Sequence, residues 1–292
     1  MVTIKSNNIS KAVFAPELGA ICSSLVFNNR ELLFRHDFFW DKNSKKTRGG
    51  IPFLFPICGR LFRNQSANTY LYNEKMYQMP VHGFADKLSW NVLPQNIDSE
   101  ISFALTSTNE TFELYPFNFN IVLTYKITDD ALTAIAEFEN TGDNPMPFYA
   151  GFHPYFLTPL SEKNDVLFNA NPDYSIKYNE SFTDIVGEIP SPKLPAKLTA
   201  LSLKDLLMRV KKQKDAQIIF PDNFVVNIST SGSEIDFPYI QLYTMENQPF
   251  FCVEPWMGAP NTLNSVSGVK WLSPGKKETA KMKICVSSEM QN

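Results

Sequence analysis

The chain has 292 residues, 43% of them hydrophobic, and a formal net charge of −3 at pH 7. Its 27 Lys and Arg are spread along the chain against 30 Asp and Glu, which excludes the basic footprint of a nucleic-acid or membrane-surface binder. No apolar run approaches the ~20 residues of a membrane span, and Met1-Val2-Thr3-Ile4-Lys5 lacks the charged and apolar regions of a secretion signal, so a soluble, cytoplasmic protein is expected.

In chain order, Lys11–Phe14 and Ala20–Phe27 read as short strands. Asn28-Asn29-Arg30 is a turn into Glu31–Phe34, which predicts a hairpin. From Phe38 to Tyr77 no periodicity is clean, and Gly49-Gly50, Pro52, Pro56 and Gly59 point to long ordered loops, which in a compact protein are usually functional. Alternation then becomes clear. Ile101, Phe103 and Leu105 share one strand face; Ile121, Leu123, Tyr125 and Ile127 share another; and Thr128-Asp129-Asp130 turns the chain into Ala131–Glu139. The stretch from Pro159 to Pro195 reads as irregular, and Leu201–Arg209 as a short helix. Strands resume at Gln217–Phe220, Phe224–Ile228, Tyr239–Thr244, Phe250–Val253 and Lys281–Val286. Period-two patterning with short polar turns predicts an all-β fold, a large antiparallel β-sandwich. No linker or repeat interrupts it, so residues 1–292 are expected to form one domain.

Four cysteines, Cys22, Cys58, Cys252 and Cys285, are scattered without a C-x-x-C pair. They read as core residues, with neither a disulfide framework nor a metal site expected. Two segments stand out chemically. Tyr149-Ala150-Gly151-Phe152-His153-Pro154-Tyr155-Phe156 sets one of only three histidines among aromatic residues, between a glycine and a proline. Alone it reads as a core histidine. Phe251-Cys252-Val253-Glu254-Pro255-Trp256 puts a carboxylate in an equally apolar run, and a carboxylate is seldom buried without a partner. The two segments together therefore read as walls of one polar pocket. Arg48, before Gly49-Gly50, and His82, in Pro80-Val81-His82-Gly83-Phe84, are further candidates, whereas His36, between Arg35 and Asp37, reads as solvated. There is no G-x-S-x-G, no nucleotide-binding glycine loop and no H-E-x-x-H. The chemistry best supplied is an acid–base pair of His and Glu that moves protons between oxygens without a cofactor.

Taken in order, these segments resemble the aldose 1-epimerase (galactose mutarotase) family. The resemblance runs from Phe14-Ala15-Pro16-Glu17-Leu18-Gly19-Ala20 and Glu31-Leu32-Leu33 through Arg48-Gly49-Gly50-Ile51-Pro52, Val81-His82-Gly83-Phe84 and Gly151-Phe152-His153-Pro154-Tyr155-Phe156. It continues through Gln241-Leu242-Tyr243-Thr244 to Val253-Glu254-Pro255-Trp256. It implies a galactose-mutarotase-type sandwich and interconversion of the α and β anomers of a free aldohexose of the glucose or galactose class, by a monomer or homodimer with neither cofactor nor metal. Glu254 would be the general base and His153 the general acid, while His82, Arg48 and Gln241 would bind sugar. The family's sugar-binding aspartate falls at Asp215 by spacing, with Asp205 second. The hexose-6-phosphate branch usually carries an arginine shortly after its His-Gly; here Asp86 and Lys87 stand there, which favours an unphosphorylated sugar, while Arg60 and Arg63 keep the phosphate alternative open. A non-catalytic carbohydrate-binding protein on the same fold is the other alternative.

Overall fold

Alternating apolar and polar residues build the largest sheet. Ile121, Leu123, Tyr125 and Ile127 are buried along the strand Phe119–Ile127, and the residues between them are more exposed. Such a strand has one face for a core and one for water. The computed structural model describes residues 1–41, 49–180, 182–210, 215–265 and 268–287. The sheet has nine strands. In spatial order they are Asn91–Val92, Glu100–Thr106, Phe119–Ile127, Ala131–Asn140, Lys277–Ser287, Val225–Ser229, Asp215–Ile219, Leu167–Ala170 and Ala196–Lys197. Every pair in it is antiparallel.

A second, eight-stranded sheet carries the central strand Phe250–Trp256. Tyr239–Tyr243 pairs with one edge of that strand. Two short strands, Gly151–Phe152 and Tyr155–Leu157, pair with the other. The two sheets meet through phenylalanines: Phe53 lies 6.1 Å from Phe138, and Phe168 lies 5.9 Å from Phe251, between ring centroids. A four-stranded sheet, Val2–Lys5 to Arg30–Glu31, packs Phe14 against Tyr125 at 4.6 Å. One core cluster joins residues from Ile4 to Val286. The architecture is the antiparallel sandwich that the patterning implies.

Three stretches differ from expectation. The segment from Pro159 to Pro195 contains the strands Leu167–Ala170, Tyr174–Tyr178 and Ile185–Ile189. These strands are only four or five residues long, and their pairing with neighbouring strands orders them. The span from Phe38 to Tyr77 includes the small hairpins Phe62–Arg63 with Ser66–Ala67 and Thr69–Tyr72 with Lys75–Gln78. The expected helix at Leu201–Arg209 is a single 3₁₀ turn, Leu201–Leu203, followed by the strand Leu207–Arg209. Asp205 takes φ +51° and ends the turn. Leu207–Arg209 is then hydrogen-bonded on both sides, to Tyr174–Ile176 and Tyr239–Gln241, so tertiary pairing overrides helical propensity.

Candidate active site

The strand Phe250–Trp256 is buried on both faces. Phe251 and Val253 point into the sandwich core. Side chains alternate along a strand, so Cys252 and Glu254 face away from that core. Glu254 precedes Pro255, and a residue before proline favours extended backbone. On the neighbouring edge the ladder is broken: Gly151 is registered with Trp256 and Tyr155 with Cys252, and His153-Pro154 bridges the gap beside Glu254. Gly151 is needed there because a Cβ would lie 2.6 Å from Cys58 Sγ and 2.9 Å from Trp256 Cδ1. Gln241 is the register partner of Glu254 on the other edge and therefore shares its face.

A cavity of about 1040 Å³ opens over this face, at the upper end of the ~300–1,000 Å³ usual for small-molecule sites. His82, His153, Gln241 and Glu254 all line it, with Asp205, Tyr178, Tyr155 and Trp256. His153 Nε2 is 3.3 Å from Glu254 Oε2 and 3.3 Å from the Tyr155 hydroxyl. The Tyr155 ring stacks on the imidazole at 4.5 Å, and Tyr243 meets it edge-on at 6.2 Å. The Trp256 indole N–H donates to Glu254 Oε2 at 3.2 Å. Burial pushes the Glu254 carboxyl well above its ordinary range; the Trp256 hydrogen bond opposes this and the negative charge of Asp205 adds to it. Burial, and after it His82, pushes the His153 imidazole well below its ordinary value.

His82 sits in a tight turn at φ +63°. Its backbone N–H donates to the Gly59 carbonyl at 2.9 Å, and its Nδ1 accepts from the Gly59 N–H at 3.1 Å. Gly83 follows at φ +77°, where a Cβ would run into the Phe55 carbonyl. With Nδ1 accepting, the proton of the neutral ring is on Nε2. The ring is 5.4 Å from His153 and 5.7 Å from Trp256. Burial lowers its pKa to about 3, with the charges of Lys87 and Arg60 adding to the effect. Gln241 accepts from the Tyr178 hydroxyl at 3.1 Å and donates to the Leu242 carbonyl at 2.7 Å.

The remaining sequence candidates fare differently. Asp215 does not line the cavity. It is registered with Ser229 inside the nine-stranded sheet, on strands remote from Glu254. Asp205, the second choice by spacing, lines the cavity instead, because its turn leads into the strand paired with Gln241. Arg48 lies outside the described residues, while Gly49 and Pro52 of its loop are in the wall. Asp86 is charge-paired with Lys87 at 2.8 Å, and Lys87 also donates to the Gly83 carbonyl at 2.9 Å. The Asp86 charge is thus largely neutralised within a wall that also holds Arg60. His36, expected to be solvated, is half-buried, its ring tilted by 31° against Phe38 at 3.6 Å, away from the cavity. Phe152 is wholly buried against Phe53 and Phe237, whereas Tyr155 and Trp256 present their rings to the cavity.

Sequence reasoning missed Tyr178, which falls in the stretch read as irregular. It also missed the proximity of Cys252 to the histidine. Ligand atoms of His153, Cys252 and Glu254 lie within 4.8 Å of one another. Period-two spacing of Cys252 and Glu254 was the available signal.

A family model for aldose 1-epimerase matches residues 1–285. The chain belongs to the aldose 1-epimerase family. Among solved structures, the chain is 25% identical to a galactose mutarotase related enzyme from Lactobacillus acidophilus, with a TM-score of 0.80 over 99% of this chain and 98% of that one. It is 26% identical to a galactose mutarotase-like protein from Lactobacillus casei, with a TM-score of 0.81 over 98% and 100%. Among curated relatives, the plasmid LacX protein of Lactococcus lactis is 25% identical over 253 residues, 78% of this chain and 80% of that protein. The sandwich is therefore the aldose 1-epimerase fold.

Proposed function

We propose that this aldose 1-epimerase family member is a mutarotase that interconverts the anomers of a neutral aldohexose by acid–base ring opening and reclosure. The observation that carries the reading is the His153–Glu254 pair, 3.3 Å apart in the cavity wall. An anomeric carbon bears two oxygens, O1 and O5, that must exchange proton status together, and adjacent donor and acceptor groups suit that demand.

The reaction draws on the ion-pair form of the site, which burial makes the less populated one: ionised Glu254 takes the proton of the O1 hydroxyl while protonated His153 gives one to O5. The C1–O5 bond breaks, leaving an aldehyde and a free O5 hydroxyl. Rotation about C1–C2 presents the other aldehyde face, and the same transfers in reverse close the ring. Ring opening turns a charged pair into a neutral one, and burial favours neutral groups here. The neutral His82, with its proton on Nε2, donates to a sugar oxygen. Gln241 and Asp205 bind hydroxyls, and Trp256 or Tyr155 meets the apolar face of the ring. Arg48 is the remaining proposed hydroxyl ligand.

Polarimetry on freshly dissolved α-D-glucose and α-D-galactose tests this reading. Wild-type protein should speed decay to the equilibrium rotation, and Glu254→Gln should slow it by roughly 10²–10⁴-fold, the usual weight of a general base. Unchanged decay in the variant would sink the assignment of the base. Arg60 in the cavity wall favours a hexose 6-phosphate as the second reading. Stronger protection against thermal unfolding by glucose 6-phosphate than by glucose would select it.

A further inference from the structure

Cys252 has no place in the chemistry above, yet it is wholly buried beside the acid–base pair. It precedes Glu254 by two residues on one strand, and its register partner Tyr155 is two residues after His153. The fold thus sets nitrogen, sulfur and oxygen donors within 4.8 Å of one another. Two of them, on His153 and Glu254, are already 3.3 Å apart at the cavity wall.

The geometry points to a second ligand for this site: a soft divalent cation of the zinc class, held by His153, Cys252 and Glu254, that blocks the cavity reversibly. A tetrahedral zinc ion with bonds of about 2.0–2.3 Å holds its ligands roughly 3.3–3.8 Å apart. Side-chain rotations of about an ångström close the set. The donor mixture disfavours magnesium and calcium, which seek oxygen alone. Three protein ligands leave a fourth position, facing the cavity, for water. Binding releases the thiol proton to solvent as the Zn–S bond forms, so occupancy rises with pH. Burial and the Glu254 charge push the Cys252 thiol well above its ordinary range, with Lys163 opposing them, so the metal must displace a firmly held proton. The bound ion would occupy the lone pairs that the proton transfers need.

Cobalt(II) serves as the spectroscopic probe. Titrating wild-type protein should raise a near-ultraviolet thiolate-to-cobalt band that saturates at one equivalent and is displaced by zinc. The band should vanish in Cys252→Ser and Cys252→Ala, each checked for folding by thermal melting, and persist in Cys285→Ser. Glu254→Gln should keep the band but bind cobalt at least about tenfold more weakly. Absence of the band in wild type, its survival in either Cys252 variant, or unaltered affinity in Glu254→Gln would overturn the site. The blocking effect rests on the mutarotase reading, and one equivalent of zinc should stop decay of optical rotation in wild type and spare Cys252→Ser. The cobalt band reports the metal whether or not sugars turn over, and rapid rotation decay without a band would discard the metal alone.

Discussion

The Glu254 carboxylate is held by opposing influences: burial and the charge of Asp205 raise its pKa, and the Trp256 indole lowers it. Trp256→Phe removes the lowering influence while keeping an aromatic wall. The acid limb of the pH–rate profile should therefore move to higher pH, read by polarimetry across pH; a stationary limb would remove Trp256 from the control of the base. The histidines act on stability in a definite direction. An unfolded histidine titrates near 6.5, whereas folded His82 titrates at about 3. Between these values the unfolded chain binds the extra proton, so stability present above the unfolded pKa is lost as pH falls through this window. His153, lowered for the same first cause, adds to that loss. Glu254 has the opposite sign: its raised pKa favours the folded state below about 4.5, and that contribution is lost as pH rises. From pH 6.5 toward 3, the urea midpoint of His82→Gln should rise relative to that of wild type.

Among the elements, the strand Phe250–Trp256 depends on its neighbours for the position of its carboxylate. Gly151→Ala would place a methyl 2.6 Å from Cys58 Sγ and 2.8 Å from the Pro255 carbonyl. Neither buried neighbour has room to retreat, so urea denaturation should show a loss of about 1–3 kcal/mol, typical of overpacking. The other end of the strand is tied by Lys163, which is buried and donates to Thr244 Oγ1 at 2.7 Å and to the Gln248 and Phe250 carbonyls at 2.8 Å each. Lys163→Met keeps the apolar stem but removes the donor to all three acceptors, of which the Phe250 carbonyl keeps the Thr244 hydroxyl at 2.8 Å. A loss of about 1–3 kcal/mol is expected, measured by the same denaturation curves. Such linkages are the reason the helix read at Leu201–Arg209 gives way to a strand: backbone groups there find partners on both sides.

For the whole molecule, stability rests on phenylalanines shared between sheets. Phe138 is fully buried and meets Phe53 at 6.1 Å, Phe55 at 6.0 Å and Phe148 at 4.5 Å. Phe138→Ala should cost about 3–5 kcal/mol through lost burial and the cavity left behind. Because Phe138 belongs to the nine-stranded sheet and Phe53 to the one bearing Glu254, the loss should appear as one cooperative transition reported alike by tryptophan fluorescence and far-ultraviolet circular dichroism. Separate transitions by the two probes would show that the sheets unfold independently.

Read as a string, the chain dictated the all-β class, the alternating strands from Glu100 to Asn140, and the apolar settings of His153 and Glu254. Each of these is local: period two and the company of aromatic residues are visible within a few positions. What folding alone decided is which distant residues meet. That Asp205 rather than Asp215 lines the cavity depends on pairing between Leu207–Arg209 and Tyr239–Gln241, not on spacing along the chain. Tyr178 reached Gln241 across 63 residues of sequence. Cys252, ordinary as a core thiol, came to lie beside an imidazole only because Tyr155 registers against it. Strand order and register have no local signature, since any amphipathic strand can pair with several others, and only the packing of the whole core selects one arrangement.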